Sequence, residues 1–275
     1  MKRIVTMQDI SCVGKCSLTT ALPVISAMGV EAAVMPTAVL STHTAFSSFT
    51  FHDLTGEIQK IMDVWKKENI TFDAVYTGYL GSFEQLELAH KLLADFGEGK
   101  LKFIDPCMAD NGSLYPGFTK EYASAMAKLC KEADIICPNL TEASYLLDIP
   151  YTKDYDEVYV RKVLKSLTDL GCDSAVLTGI SLADGKLGAY AYTKSTNTYF
   201  SYFNEEEREH FHGTGDIWAS TLCGALVIGK SFPEAVAIAC DYVKECIRLT
   251  LLEEKHNTYG VNFEQAVPYL LSRIR

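Results

Sequence analysis

His212-Gly213-Thr214-Gly215-Asp216-Ile217-Trp218-Ala219-Ser220 is the stretch on which this chain turns. From Ile217 to Ile228 the residues are almost wholly apolar and stop at Gly229, which predicts a buried helix. Two glycines stand just before that helix and an aspartate sits in its first turn. Glycine lets the backbone approach a ligand, and a helix start presents unpaired N–H groups with a partial positive charge. Together they suit an anion, most obviously a phosphate. An aspartate beside that anion would be repelled unless it had a task, and general base is the natural one. A bare GTGD is also an ordinary N-cap with a glycine turn, so the rest of the chain must decide.

Working outward, the pattern is one of alternation. Strands are predicted at Arg3–Met7, Ala32–Met35, Phe72–Thr77, Leu101–Ile104, Ala133–Cys137 and Ser174–Thr178. Between them the apolar spacing predicts helices at Ser17–Met28, Asp53–Lys67, Ser82–Phe96, Thr119–Glu132, from Asn139, and at Val158–Leu170. Pro36–Ser48 reads as a long Thr- and Ser-rich loop. Leu187–Thr193 and Thr198–Phe203 read as an antiparallel hairpin, and Phe232–Leu252 and Asn262–Ile274 as closing helices. Strands alternating with helices mean βαβ units and a mostly parallel sheet covered on both faces. No linker, repeat or low-complexity segment interrupts the chain, so residues 1–275 are expected to form one domain.

Composition narrows the function. The 275 residues are 48% apolar and 22% charged, a globular balance. A net charge of −10 argues against nucleic acid as a partner, while leaving a nucleotide as a possible substrate. No apolar run is long enough to cross a membrane, and Met1–Met7 does not fit a signal peptide. The nine cysteines are odd in number and form no CxxC pair, which suits reduced thiols in a cytoplasmic protein. His210-Phe211-His212 has metal-ligand spacing but no accompanying acid or cysteine cluster.

In open parallel sheets ligands bind beyond the carboxyl ends of the strands. The polar residues of this chain collect there: Asp9, Thr42-His43-Thr44, Gly78-Tyr79, Asp105 with Asp110, Asn139 with Glu142, and Thr178-Gly179. Each alone could be a turn or a cap. Their shared edge points instead to phosphoryl transfer to an alcohol. Asp216 would act as base and the Gly213-Thr214-Gly215 amides would hold developing charge. Asp105 and Glu142 would hold Mg²⁺, chiefly through water. No GxxxxGK[ST] sequence occurs, and the isolated Gly14-Lys15 lacks its partner glycine, so this is not a P-loop enzyme.

In the order Gln8, Ser41-Thr42-His43-Thr44, Gly78-Tyr79-Leu80-Gly81, Asp105-Pro106, Pro138-Asn139-x-x-Glu142 and Gly213-Thr214-Gly215-Asp216, the chain resembles the ribokinase-like superfamily of small-molecule kinases. Within it the SxHT and GYLG pieces are similar to the pyridoxal/pyridoxamine kinases. The resemblance implies a three-layer α/β/α fold and ATP-dependent phosphorylation of the 5′-hydroxymethyl group of a vitamin B6 vitamer. It implies Asp216 as catalytic base and Gly213, Thr214 and Gly215 as anion hole. Asp105 and Glu142 correspond to acids near Mg²⁺, and Asp110, Asn139, Thr178 and Gly179 to positions around ATP. Ala38, Leu40, Thr44 and Tyr79, with Asp9, correspond to the vitamer pocket, and Tyr115 falls near a tyrosine that approaches the nucleotide. It also implies a supporting monovalent cation (K⁺ or Na⁺) and a homodimer.

The chain departs from those relatives at four points. Asp9 stands where many have a serine touching the pyridine ring; a carboxylate there could accept from the ring 3-hydroxyl or pair with a protonated ring nitrogen. Cys137 replaces threonine near the monovalent cation, His212 replaces a small apolar residue before the anion hole, and Ala109 replaces glycine. Hydroxymethylpyrimidine kinase is the rival within the fold, although many in that branch carry cysteine at the place of Asp216. A vitamer or nucleotide sensor without activity is the alternative from another class. The acidic Asn204–Glu209 segment is expected to close over ATP.

Overall fold

The computed structural model describes residues 1–275. The strands are β1 (Arg3–Ser11), β2 (Glu31–Leu40), β3 (Phe51–Asp53), β4 (Ala74–Thr77), β5 (Leu101–Ile104), β6 (Ala109–Asp110), β7 (Ser113–Leu114), β8 (Ile135–Ile136), β9 (Ser174–Ile180), β10 (Lys186–Thr193) and β11 (Thr198–Glu205). The helices are α1 (Leu18–Ala27), α2 (Thr55–Lys67), α3 (Phe83–Phe96), α4 (Lys120–Cys130), α5 (Leu140–Leu146), α6 (Glu157–Leu170), α7 (Thr214–Val227), α8 (Phe232–Leu251) and α9 (Phe263–Ile274). Nine strands form one sheet in the order β11-β10-β9-β8-β5-β4-β1-β2-β3. The pairings from β9 through β8, β5, β4 and β1 to β2 are parallel, with antiparallel β3 at one edge and β10–β11 at the other. β6 and β7 form a separate small hairpin.

Alternation along each strand divides the core in two. Val5, Met7, Val75, Ile104, Ala175 and Leu177 face one side and pack with α2 to α6. Ile4, Ala74, Tyr76, Phe103 and Val176 face the other and pack with α1, α7, α8 and α9. Because side chains in a strand point alternately to opposite faces, a central strand buried on both sides must be apolar throughout. The result is the expected three-layer α/β/α fold. Helix starts follow local chemistry: Ser82, Thr119 and Asp156 cap α3, α4 and α6 by accepting from backbone N–H groups of the first turn.

The structure differs from the expected elements most at β2. The strand runs on through Pro36 to Leu40, where a loop was expected. Proline has no N–H to give to a ladder. At Pro36 that costs nothing, because the outer side of β2 is open there and β3 pairs only with Ala38–Leu40. β3 itself and the β6–β7 hairpin are too short to leave a period in the sequence. All nine cysteines are free, and no helix is long and apolar enough to cross a membrane.

Candidate active site

The strand order turns at β1, with β2 on one side and β4 on the other. Such a switch point opens a crevice beyond the carboxyl ends of the two strands. Asp9 stands at it. Opposite Asp9 the register slips: Gln8 pairs with Pro36 and Ile10 with Val39, so Thr37 and Ala38 together face one residue. A bulge of this kind re-aims side chains and is common beside active sites. Asp9 is 4% exposed, and its Oδ2 accepts from the Ser11 hydroxyl at 3.0 Å. Burial raises its pKa, against which the Ser17 and Ser11 hydroxyls and the nearby His43 act. On the β4 side, Gly78 must be glycine, since a Cβ there would lie 2.8 Å from Cδ of Gln8.

The stretch from His212 to Ser220 lies across this crevice. Gly213 caps α7 with φ 78°, and a Cβ on it would fall 2.0 Å from the Lys15 carbonyl oxygen. Both the left-handed backbone and the close approach call for glycine. Ile217 N–H closes the first helical bond to Gly213 C=O at 3.1 Å, which leaves the amides of Thr214, Gly215 and Asp216 without partners inside the helix. Asp216, half-buried in the first turn, has burial pushing its carboxyl up to about 7; the Ser17 amide works against this and the charge of Asp9 adds to it. The same tilt of sequence that makes the helix apolar after Ile217 thus encloses one acid at its mouth.

Two further acids gather near Asp216. Asp105, 8% exposed at the end of β5, is held well above the usual carboxylate range by burial, then by the charges of Glu142 and Asp216. Glu142, 3% exposed, forms a capping box with Asn139. Glu142 N–H donates to Asn139 Oδ1 at 2.9 Å, and Asn139 N–H returns a bond to Glu142 Oε2 at 2.9 Å. The other carboxylate oxygen accepts from Met108 N–H at 3.1 Å, and Asn139 Nδ2 donates to Ala109 C=O at 2.9 Å. The cap of α5 therefore also stitches down the loop after β5. Burial pushes Glu142 up to about 8, although three backbone amides oppose it.

These two carboxylates fit a divalent cation. They are hard oxygen donors, both buried, and no Lys or Arg is among the causes that set their pKa values. No group of three or more His, Cys, Asp or Glu side chains is placed to hold a metal by itself, so phosphate and water would supply the other ligands, as Mg²⁺ prefers. His210 and His212 belong to no such group either; His210 faces Glu206 at 3.7 Å.

The remaining expected residues distribute around this centre. Asn139 and Thr178 are bridged as neighbouring strand residues. Gly179 has φ 67° and open space where a Cβ would lie, so its backbone is approachable. Asp110 is exposed at the β6–β7 hairpin and caps the Asn111 amide at 2.8 Å. Ala38 and Leu40 are buried at the end of β2, Ala38 across from Asp9. Tyr79 is half-buried; burial, with Asp9 and Cys107 nearby, pushes its hydroxyl up to about 12. Thr44 is exposed on the loop after β2. Tyr115 has its hydroxyl raised by Cys107, by burial, and by Glu142, Asp110 and Asp216, so it lies among the acids.

Four residues gain a setting that the sequence did not show. Ser17 sits between Asp9 and Asp216. The thiol of Cys107, raised by burial, is surrounded by Asp105, Asp216, Glu142 and Asp9. His43 accepts from Ala45 N–H at 3.2 Å through Nδ1 and reaches the Tyr259 carbonyl at 3.0 Å through Nε2. With Nδ1 accepting, the proton of the neutral ring sits on Nε2; burial lowers the pKa, against the bond to Tyr259. Lys15, which a P-loop reading would aim at phosphate, instead binds Glu264 at 2.9 Å and Asn262 at 3.2 Å. The signals for these in the sequence were nearness to Gly14 and Asp105 and, for His43, its place in Ser41-Thr42-His43-Thr44.

A Bacteroides thetaiotaomicron protein assigned provisionally as a phosphomethylpyrimidine kinase is 38% identical over 98% of this chain and 93% of its own, with TM-score 0.95. A second crystal form of it contains pyridoxal. Pyridoxal kinase from Lactobacillus plantarum is 28% identical over 99% of this chain and 97% of its own, with TM-score 0.89. The bifunctional thiamine biosynthetic enzyme TH1 of Arabidopsis thaliana is 29% identical over 82% of this chain, which spans only 42% of that longer protein. The family model for phosphomethylpyrimidine kinase matches residues 17–262, from the serine between the two acids to the asparagine that holds Lys15, and the chain belongs to that kinase family.

Proposed function

We propose that this chain is an ATP-dependent kinase that phosphorylates the 5′-hydroxymethyl group of a vitamin B6 vitamer. The observation that carries this reading is Asp216: an enclosed acid with a pKa near 7, one residue beyond two glycine-spaced amides and facing Asp105 and Glu142. A base must be ionised at working pH yet basic enough to take a proton, and a value near 7 meets both demands. Asp216 accepts the proton as the substrate oxygen bonds to the γ-phosphorus of ATP. The bond from that phosphorus to the β–γ bridging oxygen breaks, and ADP leaves. The amides of Gly213, Thr214 and Gly215 face the charge that spreads over the moving phosphoryl group. Asp105 and Glu142 would hold Mg²⁺ through water; when bound, it neutralises phosphate charge. Asp110, Asn139, Thr178 and Gly179 lie toward the nucleotide, and Ala38, Leu40, Thr44 and Tyr79 toward the ring.

The pyridoxal found with the Bacteroides relative and the name of the Lactobacillus relative support a vitamer as substrate. The family description and the thiamine-pathway relative support a second reading, in which hydroxymethylpyrimidine takes the same place. Both substrates are flat heterocycles bearing CH₂OH, so the chemistry is shared. Turnover of ATP-Mg²⁺ with pyridoxal, pyridoxamine, pyridoxine and hydroxymethylpyrimidine, measured side by side with Asp216→Asn as control, separates them. Asp216-dependent turnover of a vitamer is the expected result. Turnover confined to the pyrimidine would move the assignment, and binding without turnover of any of the four would refute the kinase reading.

A further inference from the structure

Asp9 is the acid that phosphoryl transfer does not use. It is 4% exposed, and the chain offers it hydroxyls but no cation. Its donor is the Ser11 hydroxyl at 3.0 Å, and the side chain of Ser17 is near enough to favour its charge. Lys15, the nearest lysine in sequence, is spent on Asn262 and Glu264. His43, the one basic group acting on Asp9, accepts from Ala45 N–H at Nδ1, and burial lowers its pKa. Burying a carboxylate without a countercharge is costly, and natural proteins pair such groups or use them.

Ser17 makes the arrangement look built. It precedes α1 as the N-cap, yet makes no side-chain cap bond, and its backbone has φ 50°. That left-handed region disfavours any residue with a Cβ. Serine caps helices by turning its hydroxyl to the first-turn amides; here the hydroxyl makes no such bond, and it favours the charge of Asp9 while the backbone amide favours that of Asp216. One strained, buried residue thus stands between the two acids without capping its helix. Strain of this kind clusters at ligand sites. Beside Asp9 the side-chain oxygen of Gln8 is also buried without a partner.

We propose that Asp9, oriented by Ser11 and Ser17, is the specificity-determining carboxylate of the acceptor pocket, and that it selects substrates bringing their own positive charge, a protonated heteroaromatic nitrogen on the ring that carries the hydroxymethyl group. The proposal rests on the kinase reading above for the place of the ring and adds the charge the ring must carry. Across the switch point the half-buried Tyr79 offers aromatic surface for a flat ring, with the buried Ala38 opposite Asp9. Asp9 lies near enough to act on Asp216, so a ring whose hydroxymethyl oxygen meets Asp216 would bring its edge to Asp9. A charge-assisted bond from N⁺–H to that carboxylate supplies the missing countercharge.

The test crosses one change in the protein with one in the ligand. Wild type and Asp9→Asn are titrated calorimetrically with pyridoxine and with its carbocyclic counterpart, in which C–H replaces the ring nitrogen; hydroxymethylpyrimidine is the third ligand. Steady-state turnover is measured in parallel. Asparagine keeps the size and hydrogen bonding of a protonated acid and removes only the charge. Wild type is expected to bind pyridoxine about ten- to a hundredfold better than the carbocycle, in line with a hydrogen bond to a charged group. Asp9→Asn is expected to erase that preference, raising KM for pyridoxine while kcat falls less than tenfold. A second variant, Ser17→Gly, keeps the left-handed backbone and the amide to Asp216 but removes the hydroxyl, and is expected to lose part of the same preference. Equal preference in wild type and Asp9→Asn would overturn the proposal, because it would show an acid acting as a neutral hydrogen-bonding group. A preference for pyridoxine over the carbocycle, lost in Asp9→Asn, with no turnover of any ligand would sink the kinase reading and leave the charge selection standing.

Discussion

Replacing Asp216 by asparagine should make the protein a poorer catalyst and a more stable one, with both effects following pH. In the folded chain the carboxyl titrates near 7 rather than at its ordinary 3.8, mainly because it is enclosed. The native state therefore binds this proton more tightly than the unfolded chain does. Stability from this group is complete below 3.8 and is lost as pH rises toward 7, beyond which no more is lost. Each unit of displacement is worth about 1.36 kcal/mol, so the wild-type carboxylate costs the ligand-free fold at most about 4 kcal/mol at pH 8. Asparagine carries no charge to bury. In urea melts between pH 4 and pH 8.5, Asp216→Asn should match wild type at the acid end and exceed it increasingly up to about pH 7. The gap should then stay level, at roughly 2–4 kcal/mol after allowing for a partly solvated site. Wild-type kcat/KM should rise about tenfold per pH unit below 7 and flatten above it, while Asp216→Asn should be slower by roughly 10²–10⁴. A stability gap that is constant with pH, or that shrinks as pH rises, would refute the reasoning, since the acid would then have an ordinary pKa and no reason to be the base.

Further substitutions probe other parts of the site. Gly213→Ala puts a methyl group 2.0 Å from the Lys15 carbonyl at φ 78°; it should cost about 1–3 kcal/mol in urea melts and about 10²-fold in kcat. Glu142→Gln keeps one acceptor oxygen and loses its charge, so the Mg²⁺ concentration for half-maximal turnover should rise about tenfold, a charge-assisted contact being the loss. Lys15→Ala removes contacts to Glu264 and Asn262 and no phosphate ligand; KM for ATP should stay within about threefold, and stability should fall by no more than about 1 kcal/mol. A tenfold rise in that KM would mean Lys15 reaches the nucleotide after all.

Much of this was legible in the chain because the fold speaks through period and the site through position. Strand segments covered on both faces, such as Ala74-Val75-Tyr76 and Phe103-Ile104, announce a covered parallel sheet. Once the sheet is known, the acids that follow its strands fall at one edge, so Asp9, Asp105, Glu142 and Asp216 could be gathered before any coordinates. What stayed hidden depends on neighbours far away in sequence. Pro36 reads as a breaker until the outer side of β2 proves to be open. Ser17 reads as the start of a helix, and only the approach of α7 sets it between two acids. Lys15 after Gly14 reads as a fragment of a phosphate loop until Glu264, on the last helix, claims it. Cys107 carries no pattern of its own; its setting is made by four acids from four separate segments.

Those four acids explain why this site is expensive to fold and useful once folded. Asp9, Asp105, Glu142 and Asp216 are all raised above their ordinary values, and in each case burial is the first cause. None has a lysine or arginine to answer it. A chain selected for stability alone would have placed such a cation there or made the acids neutral. Leaving the charges unanswered means that whatever brings positive charge to the crevice is bound with the energy the fold has withheld. For Asp105 and Glu142 the proposed source is the metal that accompanies the nucleotide, and for Asp9 it is the acceptor ring. Asp216 is left as the acid whose charge no ligand is proposed to cancel, because it must receive a proton. The proposed mechanism therefore requires that ligands stabilise the protein most where the acids are ionised: the rise in melting temperature on adding ATP-Mg²⁺ should be larger at pH 8 than at pH 6. A smaller rise at pH 8 would mean that the buried charges had been satisfied within the chain all along.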